Sequence, residues 1–225
     1  MTVVRVLTYN ILLGGRRGQP LYDVLRTVAP DVLLVNEIPK RPVVSRRDCR
    51  RLAARVGLHY VDGGRSAGSN FVAVGHGTGV KSSAAVVLPQ PFGQPRRGIA
   101  SAQLRIEGRL LGVVSCHLSL DDARRRVEVE RVVAVARSLR GPVVVAGDLN
   151  ESPDGPAWAA LRSAGFVDHG DRSWRTFPAD RPEKRLDALL VRGDARILTH
   201  GDPGLPADLL ARASDQRPVL AKLAL

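Results

Sequence analysis

The middle of the chain constrains the fold most, because residues 70–115 consist almost entirely of short apolar runs separated by turns. The runs are rich in β-branched residues or Leu and are bounded by Gly, Pro, Asp or Asn, which predicts strands. Further runs flank this region, and the predicted strands are 3–8, 32–35, 71–74, 84–88, 101–106, 110–115, 143–146, 186–191 and 219–223. Parallel strands need a crossover of a dozen or more residues. The middle of the chain has no such crossover, so the pattern favours antiparallel pairing over a doubly wound parallel sheet.

Helices are predicted mainly towards the two ends of the chain, at residues 20–29, 45–56, 121–139 and 156–164. Ser45 and Asp48 resemble a short capping box, and Gly57 ends that helix. Because strands outnumber helices, the sequence predicts an α/β protein with two packed sheets and helices outside them. A length of 225 residues is consistent with a single domain over residues 1–225.

The formal net charge of +12, from 34 Lys and Arg against 22 Asp and Glu, indicates attraction for anionic partners. The helix at 45–56 carries many of these arginines, around an apolar face of Cys49, Leu52, Ala53 and Val56. It is either a surface for a polyanion or an ordinary solvated face, and charge alone does not decide between them. The sequence shows no signal peptide, no membrane span and too few cysteines for a disulfide framework. We therefore expect a cytoplasmic protein without a membrane partner.

Polar residues recur where the apolar runs begin or end, and these are Asn10, Glu37, His117, Asp148, Asn150, Asp187 and Asp215. Each one alone has a structural explanation, such as a turn, a cap or a buried histidine. Four carboxylates that converge would repel each other unless a cation compensates. Mg²⁺ prefers such oxygen ligands together with waters and substrate phosphates. The sequence has no Cys/His cluster with zinc spacing, which argues against zinc.

These residues stand in motifs whose order resembles the endonuclease/exonuclease/phosphatase superfamily, the group of the DNase I-like nucleases. The motifs are TYN at Asn10, NE at Glu37, RRG at Arg97, SCHL at His117, GDLN at Asp148 and Asn150, RLD at Asp187 and SDQRPV at Asp215. GDLN and the C-terminal SDxxPV are the most specific of them, and the resemblance extends over residues 8–219. It implies a four-layer sandwich, in which two mainly antiparallel β-sheets pack face to face with helices on the outer faces.

The resemblance also implies a Mg²⁺-dependent phosphoester hydrolase, with Mn²⁺ as the alternative ion. It assigns the metal to Glu37, Asn10 and Asp215. It assigns the orientation or deprotonation of the attacking water to Asp148, while Asp187 would orient the histidine of an SDH motif. Contacts with the substrate phosphate fall to Asn10, Arg97, His117 and Asn150. In this scheme the metal stabilises developing charge, and the protein donors hold the phosphoryl group.

The chain departs from the family pattern at Gln216, which stands where the SDH motif has its histidine. Glutamine donates only a neutral hydrogen bond, whereas histidine also exchanges protons near neutral pH. Asp187 would then lack its usual partner, although the glutamine amide can still bond to it. A general acid–base group contributes ~10²–10⁴-fold, so its absence raises the barrier by roughly 3–5 kcal/mol. Three explanations stay open: an introduced substitution, a naturally weak or inactive member, or a member with an activated substrate.

The implied partner is a phosphorylated substrate, either nucleic acid or a small-molecule phosphoester. Nuclease activity, small-molecule phosphatase or phosphodiesterase activity, and binding of a phosphorylated ligand without catalysis are the alternatives. An aromatic content of 4% provides few platforms on which the bases of single strands stack. The sequence does not indicate an oligomeric state.

Overall fold

The computed structural model describes residues 1–12, 18–38 and 46–225. The strands within them are β1 (Val3–Asn10), β2 (Val32–Asn36), β3 (His59–Gly64), β4 (Asn70–Val74), β5 (Gly79–Leu88), β6 (Arg97–Ile106), β7 (Arg109–His117), β8 (Val143–Asp148), β9 (Asp187–Arg192), β10 (Arg196–Gly201) and β11 (Val219–Ala224). The α-helices are α1 (Gln19–Val28), α2 (Arg46–Arg55), α3 (Asp122–Arg137), α4 (Pro156–Ser163) and α5 (Ala207–Ala213). The predicted start of α2 at Ser45 lies outside the described residues.

The strands form two sheets, one of six strands in the order β10-β11-β1-β2-β4-β3 and one of five in the order β5-β6-β7-β8-β9. Neighbouring strands are antiparallel except for β1–β2 and β7–β8. The connections of the two parallel pairs contain α1 and α3 respectively, and each provides the long crossover that parallel pairing requires. The prediction of mainly antiparallel sheets is confirmed.

Strand alternation sends side chains to both faces of each sheet, and both faces are buried. In β1, Val4 and Val6 join the cluster between the sheets, whereas Leu7 and Tyr9 join a second cluster beneath the helices on the outer side. In β8, Val144 points between the sheets, and Val145 packs in a third cluster with residues of α3 and α4. Three buried layers between four layers of secondary structure confirm the predicted sandwich.

The strands and helix that the sequence reasoning missed, β3, β10 and α5, lie at the margins of the fold. β3 and β10 are edge strands of the six-stranded sheet, and both contain a bulge or irregularity. An edge strand has one neighbour and a more solvated surface, so its sequence lacks the apolar run that identified the central strands. Within the described residues, no helix is both long and apolar enough to span a membrane.

The topology gathers the ends of central strands at one edge of the sandwich. In the six-stranded sheet Asn10 pairs with Asn36, at the carboxyl ends of β1 and β2. In the five-stranded sheet Asp148 pairs with His117 on one side and with Asp187 on the other. The polar residues that interrupt the apolar pattern therefore meet where the two sheets open to the surface.

Candidate active site

Asn36 joins the two sheets at this edge. Its side chain is fully buried, and Nδ2 donates to Asn70 Oδ1 and to the Cys116 carbonyl, each at 2.9 Å. Its Oδ1 accepts the backbone N–H of Asp148 at 3.1 Å. Asn36 thus spans from β2 to β7 and β8. Sequence reasoning missed this role, although an asparagine at the end of the apolar run VLLV is a visible signal.

Asp148 is the hydrogen-bonding centre of the site. Its Oδ2 accepts from Asn10 Nδ2 at 3.0 Å and from Gln216 Nε2 at 2.9 Å, and its Oδ1 accepts the backbone N–H of Asn150 at 2.8 Å. Gly147, the glycine of GDLN, has φ 139°, and a Cβ there would overlap the Cys116 carbonyl oxygen. The glycine therefore lets β8 approach β7 just before the carboxylate, and the three donors fix the orientation of that carboxylate.

His117 is held by donors on two sides. Arg97 Nη1 lies 2.7 Å from its Nε2 and 3.0 Å from its Nδ1, and Asn150 Nδ2 lies 3.0 Å from Nε2. Because a guanidinium and an amide nitrogen only donate, a ring nitrogen that accepts from them carries no proton. Burial lowers the pKa of Arg97, while the charges of Asp148 and Glu37 act in the opposite direction. The cationic Arg97 thus lies next to the polar side chains of His117 and Asn150, and this combination suits the binding of a phosphate.

Glu37 and Asp215 form the more exposed side of the site, and both are partly solvent-accessible. Glu37 Oε1 lies 3.9 Å from His117 Nδ1. Burial raises the pKa of Glu37, and the charges of Asp148 and Asp215 raise it further, against the hydrogen bond from Asn10 and the charge of Arg97. Glu37 and Asn150 have φ 58° and 50°, the left-handed region that is strained for glutamate and that asparagine tolerates better. Strained backbone of this kind clusters at functional sites.

The chemistry of this donor set suits a hard divalent cation. Two partly exposed carboxylates, Glu37 and Asp215, face each other's charge beside the Asn10 amide. Mg²⁺ is typically held by one or two carboxylates, and waters and substrate phosphates complete its shell. The residues that the model describes contain no group of three or more His, Cys, Asp or Glu arranged for a metal.

Asp187 and Gln216 do not make the hydrogen bond that the sequence left open. Gln216 Nε2 donates to Asp148, and within the described structure its Oε1 and both Asp187 carboxylate oxygens are buried without a hydrogen-bond partner. With Nε2 engaged by Asp148, Gln216 presents only the acceptor Oε1, to which a carboxyl group can donate only when it is protonated. Burial raises the pKa of Asp187 well above its ordinary value, the charge of Asp148 adds to the rise, and the Thr176 hydroxyl opposes it.

A buried network from α3 holds the two loops that leave β7 and β8. Arg125 Nε donates to Glu151 Oε1 at 3.0 Å, and its Nη1 donates to the carbonyls of Ser119 and Leu120. Glu128 Oε2 accepts the backbone N–H of Ser119 at 2.7 Å. These loops continue directly from His117 and Asn150. Sequence reasoning missed the network, because charged residues on a helix usually indicate a solvated face.

The structure brings all the predicted site residues to this edge of the sandwich: Asn10, Glu37, Arg97, His117, Asp148, Asn150, Asp187, Asp215 and Gln216. Their electrostatic environment is acidic on the side of Glu37 and Asp215 and contains Arg97 on the other. The arrangement can hold a cation beside a phosphate and can orient a water molecule next to both.

Comparison with known proteins identifies relatives of the same architecture. The model of the endonuclease/exonuclease/phosphatase family matches residues 7–215. A family protein from Bacteroides vulgatus has a TM-score of 0.80 at 19% identity, with both chains covered completely. The mannosyl-6-phosphatase Bt3783 of Bacteroides thetaiotaomicron has a TM-score of 0.78 at 16% identity over 99% of this chain and 100% of that one. D. rerio TDP2 in complex with a single-strand DNA product has a TM-score of 0.75 at 15% identity, with both chains covered completely. Sequence comparison with curated proteins finds no match.

Proposed function

The chain belongs to the endonuclease/exonuclease/phosphatase family of phosphoester hydrolases, and we propose that it is itself a divalent-metal-dependent phosphoester hydrolase. The observation that carries the proposal is the buried carboxylate of Asp148, which three donors from both sheets hold beside His117 and the acidic pair Glu37 and Asp215. A fixed carboxylate next to a phosphate-binding group is the arrangement that water activation requires.

Glu37, Asn10 and Asp215 would hold Mg²⁺ or Mn²⁺. A bound ion of this kind stabilises the negative charge that develops on the phosphoryl oxygens. Asp148 orients the attacking water and accepts its proton, because its carboxylate is fixed by Asn10, Gln216 and the backbone of Asn150.

The phosphate is bound by Arg97, His117 and Asn150, and the first and last of these each have a nitrogen within 3.0 Å of the His117 ring. These donors are preorganised, so they stabilise the transition state without rearranging during the reaction. Position 216 supplies no titratable proton to the leaving group, because glutamine remains neutral at all pH values. The proposed enzyme should therefore hydrolyse fastest those substrates whose leaving group needs little protonation.

The structural neighbours support two substrate classes, since one is a mannosyl-6-phosphatase and another, TDP2, holds a single-strand DNA product. A nucleic-acid phosphodiester and a small phosphoester are thus both candidates for this site. Binding of a phosphorylated ligand without turnover is the second candidate function, and the observation in its favour is Gln216 in place of a histidine.

The test is a panel of plasmid DNA, single-stranded oligonucleotide, sugar phosphates and an aryl phosphodiester, each with Mg²⁺, with Mn²⁺ and with EDTA. We expect hydrolysis with the metal ions and none with EDTA. Asp148→Asn should lower turnover by at least about 100-fold, and Glu37→Gln should shift activity to higher metal concentration. Asp194→Asn is the matched control, because Asp194 is exposed. Unchanged turnover in Asp148→Asn would overturn the proposed mechanism, and binding without any turnover would establish the second candidate.

A further inference from the structure

A large cleft opens directly beside Asn150. It has a volume of about 1020 Å³, and its basic lining residues are Arg162, Arg172, Arg175, Lys184 and Arg185. One wall comes from α4 and the loop before it, and the other comes from residues 168–186, which lead into β9. Asn150 belongs to both the cleft and the proposed phosphate site, so the cleft adjoins that site.

The wall formed by residues 168–186 is anchored to the active site. Arg185 is buried between the rings of Trp158 and Trp174, at 5.2 and 5.4 Å from their centroids, and its Nη2 donates to Asp168 Oδ1 at 2.7 Å. The Thr176 hydroxyl oxygen accepts the backbone N–H of Asp187 at 3.3 Å. These contacts hold the backbone of the wall beside the active site, so the wall does not have to be ordered when a ligand binds.

The charges that line the cleft leave an excess of cations. Its two inner carboxylates are already paired, Asp168 with Arg185 and Glu151 with Arg125. Among the residues that the structure describes, none of the four basic side chains Arg162, Arg172, Arg175 and Lys184 lies within 4.0 Å of a carboxylate oxygen. Only two exposed carboxylates, Asp154 and Glu183, also line the cleft.

Backbone carbonyls hold two of these guanidinium groups. Arg162 Nη1 donates to the Pro153 carbonyl at 2.8 Å, and Arg175 Nη1 donates to the Trp174 carbonyl at 3.0 Å. A carbonyl partner leaves the positive charge uncompensated. From this geometry, and resting on the proposed function, we propose that the cleft binds the phosphates of a nucleic-acid strand next to the scissile phosphate.

The size and spread of the basic residues favour a strand over a small phosphorylated molecule. The volume lies at the upper end of the range for small-ligand pockets, and the cations occupy both walls instead of converging on one point. A backbone with regularly spaced phosphates matches such a distribution. The arginines of α2, in contrast, lie on a helix that packs against edge strand β3 of the other sheet. They provide a matched region of similar charge away from the cleft.

The experiment measures binding of a fluorescently labelled single-stranded oligonucleotide in EDTA over a series of salt concentrations. The variant is Arg172→Ala/Lys184→Ala, since neither side chain makes a hydrogen bond or ion pair within the described structure. The control is Arg47→Ala/Arg51→Ala on α2, which removes the same charge from exposed positions. Losing two phosphate contacts should weaken binding roughly 10- to 100-fold and reduce the salt slope by about 2, while the control stays within about 2-fold of the wild type.

Two further measurements separate the outcomes. Hydrolysis of an aryl phosphodiester with Mg²⁺ should be unchanged in the cleft variant, and a sugar bisphosphate should compete weakly with the oligonucleotide. Equal losses in both double variants, no loss in the cleft variant, or an equal loss of aryl ester turnover would overturn the proposal. Strong competition by the sugar bisphosphate would assign the cleft to a small ligand instead. Absence of all hydrolysis by the wild type would refute the proposed function. The comparison of oligonucleotide binding by the two double variants would still test the cleft proposal.

Discussion

The candidate site has two halves that differ in how firmly they are held. The bonded half, consisting of Arg97, His117, Asp148 and Asn150, lies on the five-stranded sheet, and its side chains are joined by hydrogen bonds. The acidic half consists of Glu37, which follows β2, and Asp215, which precedes β11 of the six-stranded sheet, and both residues are partly exposed. The difference indicates a division of labour, because phosphate recognition needs fixed donors whereas a hydrated cation needs open carboxylates.

The largest expected effect comes from breaking the join between the sheets. Asn36→Ala leaves Asn70 Oδ1, the Cys116 carbonyl and the backbone N–H of Asp148 without their partner. Each such buried orphan costs about 1–3 kcal/mol. We expect the free energy of unfolding, measured with urea, to fall by roughly 3–5 kcal/mol.

Ser115→Ala is the control for this prediction, because Ser115 spans the same gap with contacts of 3.4 Å only. It should lower the free energy of unfolding by about 1 kcal/mol or less. Similar small losses of stability in both variants would show that Asn36 does not join the two sheets. The relative position of the two halves of the site would then depend on backbone packing alone.

The bonded half illustrates what a sequence can reveal. His117, Asp148 and Asn150 were predicted because they follow apolar runs in motifs with a familiar order, and a run that ends in a polar residue indicates a strand end. Asn36 and Arg125 were missed because their partners are remote in the chain, at Cys116 and Glu151. Gln216 lies beside the predicted residues, but its hydrogen bond to Asp148 and not to Asp187 depends on side-chain geometry that motif order does not encode.

The second prediction concerns Gln216, the residue through which β11 of the six-stranded sheet reaches the bonded half. Gln216→His introduces a group that exchanges protons near neutral pH. We expect kcat on an unactivated phosphodiester to rise about 10-fold or more, which is part of the ~10²–10⁴-fold contribution of a general acid. The pH profile of kcat should gain a limb near the ordinary pKa of histidine, about 6.5.

Gln216→Ala serves as the control, since it removes the hydrogen bond to Asp148 without adding a titratable group. It should lower kcat or leave it unchanged, and it should add no limb to the pH profile. If Gln216→His is no faster than the wild type, then the missing histidine does not limit the reaction. The step that limits kcat would then be expected to involve the acidic half.

The smallest effect tests the penalty of burying charge behind the bonded half. Asp187 has a raised pKa because of burial and the nearby charge of Asp148. Below its ordinary pKa of 3.8, the carboxyl is protonated in both the folded and the unfolded state and costs nothing. As the pH rises above that value the unfolded chain ionises first, so the unfolded state binds fewer protons and wild-type stability falls.

Asp187→Asn removes this pH dependence. At pH 7 in EDTA its Tm should exceed that of the wild type by about 2–4 °C, which corresponds to a gain of about 1 kcal/mol. The advantage should vanish near pH 4, and Asp194→Asn should show no such trend. A variant that is less stable than the wild type at pH 7 would mean that Asp187 is held as a charged partner, so that the bonded half extends further than the hydrogen bonds show.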